Sequence, residues 1–287
     1  QSGNTAIGTA SQYISAAAGN TSVGFESLRY NTTGDVNTAI GKDAMKANTT
    51  GRMNTSVGYE SLAINTTGSN NTAVGKAAMY SNTTGTDNVA LGYAALPNNT
   101  TASYNTAIGR QAMDANTTGH SNTGVGRRVM PANTTGSSNT AMGIDCMEAN
   151  TTGNNSVAMG SNTLKANTTG HYNTAIGYTA LSKNTTASNN TAIGRAVLFN
   201  NTTGTGNTGM GSEALYANTT GAYNISLGTN TLYANTTGAT NTAVGYDAMQ
   251  SNTTGQQNAA VGSYALDANT TGEGNTALGM NSLTANT

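Results

Sequence analysis

The chain of 287 residues has no tryptophan, two phenylalanines, two prolines and a single cysteine, and only 8% of its residues are charged. A globular protein of this length carries about 25% charged residues. Eleven lysines and arginines stand against twelve acids, for a formal net charge of -1, so the sequence offers no basic field for nucleic acid or an anionic membrane surface. No run approaches 18 apolar residues, which excludes a helical membrane span, and residues 1–18 lack the basic end and apolar core of a signal peptide. A lone Cys146 excludes an internal disulfide. It stands in a repeat slot filled elsewhere by Ala44, Ser61, Ala78 and Val129 with no His or acid in register, so it reads as a small core-side residue.

The residues that chemistry needs are equally sparse. No Ser/His/Asp set or carboxylate pair recurs, and no phosphate-binding loop of the Gly-x-x-x-x-Gly-Lys type is present. His120 and His171 share one repeat position but lie three repeats apart, roughly 14 Å at strand spacing, too far for a common zinc. Asp35, Asp87, Asp114, Asp145 and Asp267 fall in different slots, unlike the regular aspartates of a calcium-binding roll. The expectation is a protein that is not an enzyme and holds no cofactor or metal.

What the chain has is repetition. The pattern Asn-Thr-[Ala/Ser]-[Ile/Val/Leu/Met]-Gly, or a variant with one or two substitutions, starts at Asn20 and returns every 17 residues, and one further copy at Asn4 precedes it by 16, for seventeen units in all. A fixed short period without insertions marks a solenoid in which each unit makes one turn and stacks on the last. The expected organisation is an atypical first repeat at 1–19, as a cap would be, followed by a regular solenoid at 20–287 whose last repeat is truncated. Because the chain begins and stops inside the repeat, it is expected to be a mature product or a fragment of something longer whose anchor and tip lie outside it.

Numbered from the first Asn of each unit, position 4 (Ile40, Val57, Val74) and position 9 (Met45, Leu62, Met79) are always large and apolar from the second unit onward. Their spacings of 5 and 12 fit neither a 3.6 period nor a heptad, and the wealth of Thr and Gly opposes helix. Position 5 is always Gly and position 15 is Gly except at Ala102 and Ala187, so two turns punctuate each unit. The sequence therefore predicts an all-β parallel solenoid, or β-roll, with two short strands per coil. Positions 2 and 4 are expected to share the inner face, since the usual Thr at 2 gives way to Val89, Val157, Ile225 and Ala259. Positions 9 and 11 are expected to share the inner face of the second arm. Positions 6, 10, 16 and 17 vary and should face outward; no recurring pattern is read in them, which favours structure over recognition. At roughly 4.8 Å per coil, seventeen coils are expected to form a rod on the order of 80 Å long.

Fifteen complete Asn-Thr-Thr triplets occupy positions 12 to 14, beginning at Asn31, Asn48, Asn65, Asn82, Asn99, Asn116, Asn133, Asn150, Asn167, Asn184, Asn201, Asn218, Asn235, Asn252 and Asn269. Each satisfies the N-glycosylation pattern. Each could equally belong to a structural ladder, in which side-chain amides of successive coils hydrogen-bond along the stack with threonine ladders beside them. Glycans about 4.8 Å apart in one column would collide. Outward Asn and Thr at positions 12 and 14 would also form the regular array of an ice-binding solenoid.

The strand motif, as in Asn37-Thr38-Ala39-Ile40-Gly41 and Ser156-Val157-Ala158-Met159-Gly160, resembles the head repeat of trimeric autotransporter adhesins, and is similar to shaft repeats of phage tail fibres. The resemblance implies a left-handed parallel β-roll assembled as a homotrimer. Alanine at positions 3 and 8 is expected to let a neighbouring chain approach closely, since two large apolar side chains per coil make a thin core. The functional expectation is a shaft or filament segment of an extracellular appendage or virion fibre that supports adhesion, with identical chains as partners and a surface glycan or host receptor as ligand; an ice-binding solenoid and a carbohydrate-binding adhesin head are the alternatives. No nucleic acid and no direct membrane insertion are expected. Circular dichroism of the whole chain should be β-rich, and small-angle scattering should give an elongated particle. A helical spectrum, or a radius of gyration near the roughly 19 Å of a compact globule of this length, would contradict the solenoid.

Overall fold

The computed structural model describes residues 3–12 and 16–284. Among the described residues it contains seventeen three-residue strands and no helix. The chain divides into two compact units, 1–142 and 143–287. The first holds nine strands from β1 (Thr5–Ile7) to β9 (Thr140–Met142), and the second holds eight from β10 (Val157–Met159) to β17 (Thr276–Leu278). Within each unit every strand pairs in parallel with the equivalent strand of the next coil in unshifted register, as in Thr38↔Thr55, Ala39↔Ser56 and Ile40↔Val57. Each unit is thus a parallel β-solenoid of 17-residue coils. The expected cap at 1–19 lies partly outside the described residues, as does the end of the truncated last repeat.

One strand per coil is observed, where two were expected. The second arm is not extended, because positions 7, 9 and 17 take the left-handed conformation in most coils, Met113 and Met130 at position 9 excepted: Glu60 has φ 55°, Leu62 48° and Asn70 59°. Each such residue turns its N–H along the stack. Glu60 N donates to Lys42 O of the preceding coil, Leu62 N to Ala78 O of the following one, and Asn70 N to Arg52 O, at 3.0 Å each. Every left-handed side chain costs on the order of 1 kcal/mol or more, and the inter-coil hydrogen bonds offset it by satisfying donors that the tight turns would otherwise bury. Position 5 needs glycine for two reasons. Gly58 has φ +139°, and a Cβ there would lie 2.5 Å from the carbonyl oxygen of Gly75 in the next coil.

The inner face of the strand is also the reverse of the expectation. Position 3 is buried from Ser22 to Ala277, while position 4 stands outside, with Ile40 39% and Val74 38% exposed. Inside, position 3 faces positions 8 and 9: Met45, Leu62 and Met79 are fully buried, and so are Ala44, Ser61 and Ala78. Position 11 is half-exposed at Ala47, Ser81 and Ala115. The cause is the width of the lumen. A coil of 17 residues encloses one large side chain, at position 9, and only small residues fit at 3 and 8 around it. Alanine at those two positions therefore narrows the lumen and does not serve contact between chains.

The fit is close enough that the small slots compensate one another. The only two valines at position 8, Val129 and Val197, face the only two glycines at position 3, Gly124 and Gly209. A Cβ on Gly124 would meet Val129 Cγ1 at 2.9 Å, and one on Gly209 would meet Val197 Cγ1 at 2.6 Å. Polar residues pair in the same way. Ser22, Ser56 and Ser226 at position 3 each donate at 2.8 Å to the carbonyl of position 8 in their own coil, where Ser27, Ser61 and Thr231 stand. Cys146 is buried in this lumen, as expected for its slot, and its thiol donates to Gly160 O as the Thr163 hydroxyl does to Gly177 O.

This arrangement makes a direct prediction about which apolar ladder is the core. Met79→Ala should cost about 2–5 kcal/mol by opening a cavity in the lumen, whereas Val74→Ala on the outer face should stay within about 0.5 kcal/mol in the isolated chain. Denaturant titration of the two variants checks it, and the reverse order would restore position 4 to the core.

Candidate functional site

The residues that recur in every coil converge on one backbone group, the carbonyl at position 15. In the coil that starts at Asn37, Gly51 O accepts Nδ2 of Asn37 at 2.9 Å and Nδ2 of Asn48 at 3.0 Å. Positions 1 and 12 thus clamp the turn between them from both sides. Ala102 serves as well as glycine, accepting Asn88 and Asn99 at 2.9 Å each, because the bond uses only the backbone.

Both asparagine columns also bind from coil to coil. At position 12, Nδ2 of Asn48 donates to Oδ1 of Asn31, Asn65 to Asn48 and Asn82 to Asn65, at 2.8 Å each. The second unit repeats the pattern, from Asn167 to Asn150 at 2.9 Å through to Asn269 to Asn252 at 2.9 Å. At position 1 the acceptor is the same but the backbone also donates: Asn37 N donates to Asn20 Oδ1 at 2.8 Å and Asn54 N to Asn37 Oδ1 at 3.0 Å, with Asn54 Nδ2 reaching the same oxygen at 3.1 Å. Where Ser156 replaces this asparagine, its hydroxyl accepts the N–H of Asn173 at 3.2 Å. A threonine ladder runs beside them, with Thr49 Oγ1 donating to Thr66 O and Thr66 Oγ1 to Thr83 O, both at 3.0 Å.

All fifteen sequence-predicted asparagines, from Asn31 to Asn269, are fully buried. The geometry supports the ladder reading, since a glycan on Nδ2 would displace both bonds that this atom makes and has no open space to occupy. Positions 12 and 14 do not share a face: the Thr of position 14, as at Thr50 and Thr67, is exposed while the asparagine is inside. The outward Asn/Thr array does not form. His120 Nδ1 lies 3.3 Å from Ser121 Oγ, and His171 Nδ1 accepts the N–H of Asn154 at 3.0 Å. Among the described residues no three His, Cys, Asp or Glu side chains converge as a metal site would require.

Two surface features recur or align. The outer face of most strands presents a half-buried Thr at position 2 beside the aliphatic residue at position 4; the exposed members of this column include Ile40, Val74 and Met142 in the first unit and Met159 and Met210 in the second. The stacking also orders position 6, where the sequence shows no pattern until every second repeat is compared. Phe25, Lys42, Tyr59, Lys76, Tyr93 and Arg110 form a ladder of rings and cations, with Lys42 Nζ 5.9 Å from the Phe25 ring centre and 5.6 Å from that of Tyr59. A smaller stack of rings lies at position 10, Phe199 on Tyr216 at 5.4 Å and Tyr216 on Tyr233 at 5.2 Å, nearly parallel. The alternation at a 34-residue period was the readable signal.

Charges elsewhere pair mostly between neighbouring coils, as in Arg52 with Asp35 at 3.0 Å and Lys165 with Glu148 at 3.2 Å. Lys46 bridges Glu26 and Asp43, and Arg29 also pairs with Glu26. The bond from Lys46, helped by the charge of Arg29, holds the Glu26 carboxyl below its ordinary range against the opposing effect of desolvation. The Tyr59 phenol is raised, first by its hydrogen bond to Glu60.

Comparison with known protein families, curated proteins and solved structures finds no match.

The ladder predicts a pH signature. Asn116 Nδ2 donates to Asn99 Oδ1 at 3.1 Å and to Gly119 O at 3.0 Å, so Asn116→Asp turns a buried donor into a carboxylate facing two acceptors. That carboxyl should have a raised pKa in the folded state. With the folded pKa above the unfolded value near 3.9, the folded chain binds more protons in the interval between them, so stability falls as pH rises through that window. The melting temperature of Asn116→Asp should drop between pH 4 and 7 more than that of the parent chain. Equal pH profiles would contradict a buried ladder at this position.

Proposed function

We propose that the chain is a structural shaft segment of an extracellular appendage or virion fibre, with adhesion as the task of the larger assembly. The observation that carries this reading is the fate of the repeated polar residues. An asparagine repeated for a ligand would be presented to it, whereas here the asparagines of positions 1 and 12 are spent on their own turn and on the adjacent coil. Repetition of this kind serves stacking, and stacking serves length.

The partner that fits is further copies of the same chain. The Thr and aliphatic stripe recurs coil after coil within each unit and leaves side chains such as Ile40 and Val74 exposed, an apolar-rich surface that association would cover. A threefold bundle would cover it on every chain. This replaces the alanine contacts of positions 3 and 8, which lie inside.

A second reading, ice binding on this same stripe, is favoured by one observation: the threonines of position 2 face outward in register. The two readings differ in whether the stripe is covered. Light scattering on the purified chain should give a trimer, and the double variant Val74→Asp with Ile108→Asp should shift it to monomer while the spectrum stays β-rich. Immunogold labelling of the native source should place the chain along a thin shaft. A stable monomer that halts ice recrystallisation would overturn the shaft reading in favour of the second.

A further inference from the structure

We propose that the outer column from Tyr59 to Arg110 is a binding track for an acidic polysaccharide, an extended glycan in which carboxylated and neutral sugars alternate. This goes beyond the shaft reading, since a shaft needs no ligand. Lys76 Nζ sits between two rings, 5.6 Å from the centre of Tyr59 and 6.0 Å from that of Tyr93, and Arg110 Cζ lies 5.7 Å from Tyr93. All four side chains are exposed. Each ring holds its neighbouring cations in place, a contact worth about 0.5–1 kcal/mol at an exposed site, so the charges are ordered in line where isolated surface lysines would wander.

The spacing decides the class of ligand. Like residues recur every second coil, about 9.6 Å apart, close to the length of one disaccharide in an extended pyranose chain. An anionic sugar would meet Lys76 and then Arg110, while the neutral sugar between them would lie against the exposed rim and hydroxyl of Tyr93. The flanking position 7 admits an anion here. It carries Ala77, Ala94 and Gln111 beside these three residues, whereas the coils before them carry Glu26, Asp43 and Glu60. Two of those acids are paired, Glu26 with Lys46 and Arg29 and Asp43 with Lys46, and Glu60 stands beside Tyr59 at the end of the column, one coil before Lys76. Asp87 and Asp114 belong to positions 17 and 10, off the column. Single contacts of this kind are weak, and affinity would come from their repetition along one polymer.

The test uses the full chain and hyaluronan, in which glucuronate alternates with a neutral sugar, with dextran, polyglutamate and poly(dT) as competing polymers in the same titration. Hyaluronan should bind in low salt and release as salt rises. The double variant Lys76→Gln with Arg110→Gln should weaken binding about tenfold, two exposed charge contacts' worth, and Tyr93→Ala should weaken it as well. The charge-matched control, Lys165→Gln with Arg195→Gln in the second unit, should bind like the parent chain. Absence of hyaluronan binding, equal loss in both double variants, or equal binding of dextran, polyglutamate or poly(dT) would overturn the track. None of these results would move the immunogold position, so the shaft reading stands or falls separately. Circular dichroism and melting of each variant show that the fold is kept, as expected for exposed side chains.

Discussion

The structure depends on one shared acceptor, the carbonyl of position 15, held by an asparagine on either side of the turn. A three-residue strand makes too few bonds to fix a 17-residue coil by itself. The pair of amides closes the coil, and the oxygen atoms left over on the same two side chains receive the next coil. Each bond is worth about 1 kcal/mol net, but leaving a buried partner unsatisfied costs about 1–3 kcal/mol. A slip of one residue would replace a whole column of asparagine with threonine, or with the varied residues of positions 11 and 17, and leave the turn carbonyls bare. Register is therefore enforced by the penalty for losing it, in the way that buried polar networks specify one arrangement when fully satisfied.

Closing the coil at this length also sets what can lie inside. With one large side chain admitted at position 9, the opposing wall must be small, and the pairings of Gly124 with Val129 and Gly209 with Val197 show how little slack remains. The aliphatic residues of position 4 are pushed outside by the same constraint. A chain that excludes its own aliphatic column from the core leaves that column at the surface, with half-buried threonines beside it in most coils.

The period, the parallel stack and the asparagine ladder were legible in the sequence because each leaves a mark at a fixed spacing. The facing of the strand was not. Alternation allows two faces, and choosing the one with the larger apolar residues assumes that the core takes what is most hydrophobic. Here the decisive signal is the opposite one: position 3 is only ever Ala, Ser or Gly, the mark of a narrow lumen. The second arm was misread as a strand because Leu and Met at position 9 carry no local sign of a positive φ. Tertiary packing imposes it, and only the coil-to-coil bonds of the turned N–H groups explain it. The cation and ring ladder was hidden by comparing adjacent repeats when its period is two.

These levels share one claim, that the asparagine side chains are internal structure. Proton exchange of the Nδ2 groups, followed by NMR on the whole chain, addresses it most directly. If the ladders hold the coils, the position 12 amides from Asn48 to Asn133 exchange orders of magnitude more slowly than free asparagine and as slowly as the N–H groups of the neighbouring strands. Exchange at the rate of a free side chain would mean that these asparagines face solvent, and would contradict the account.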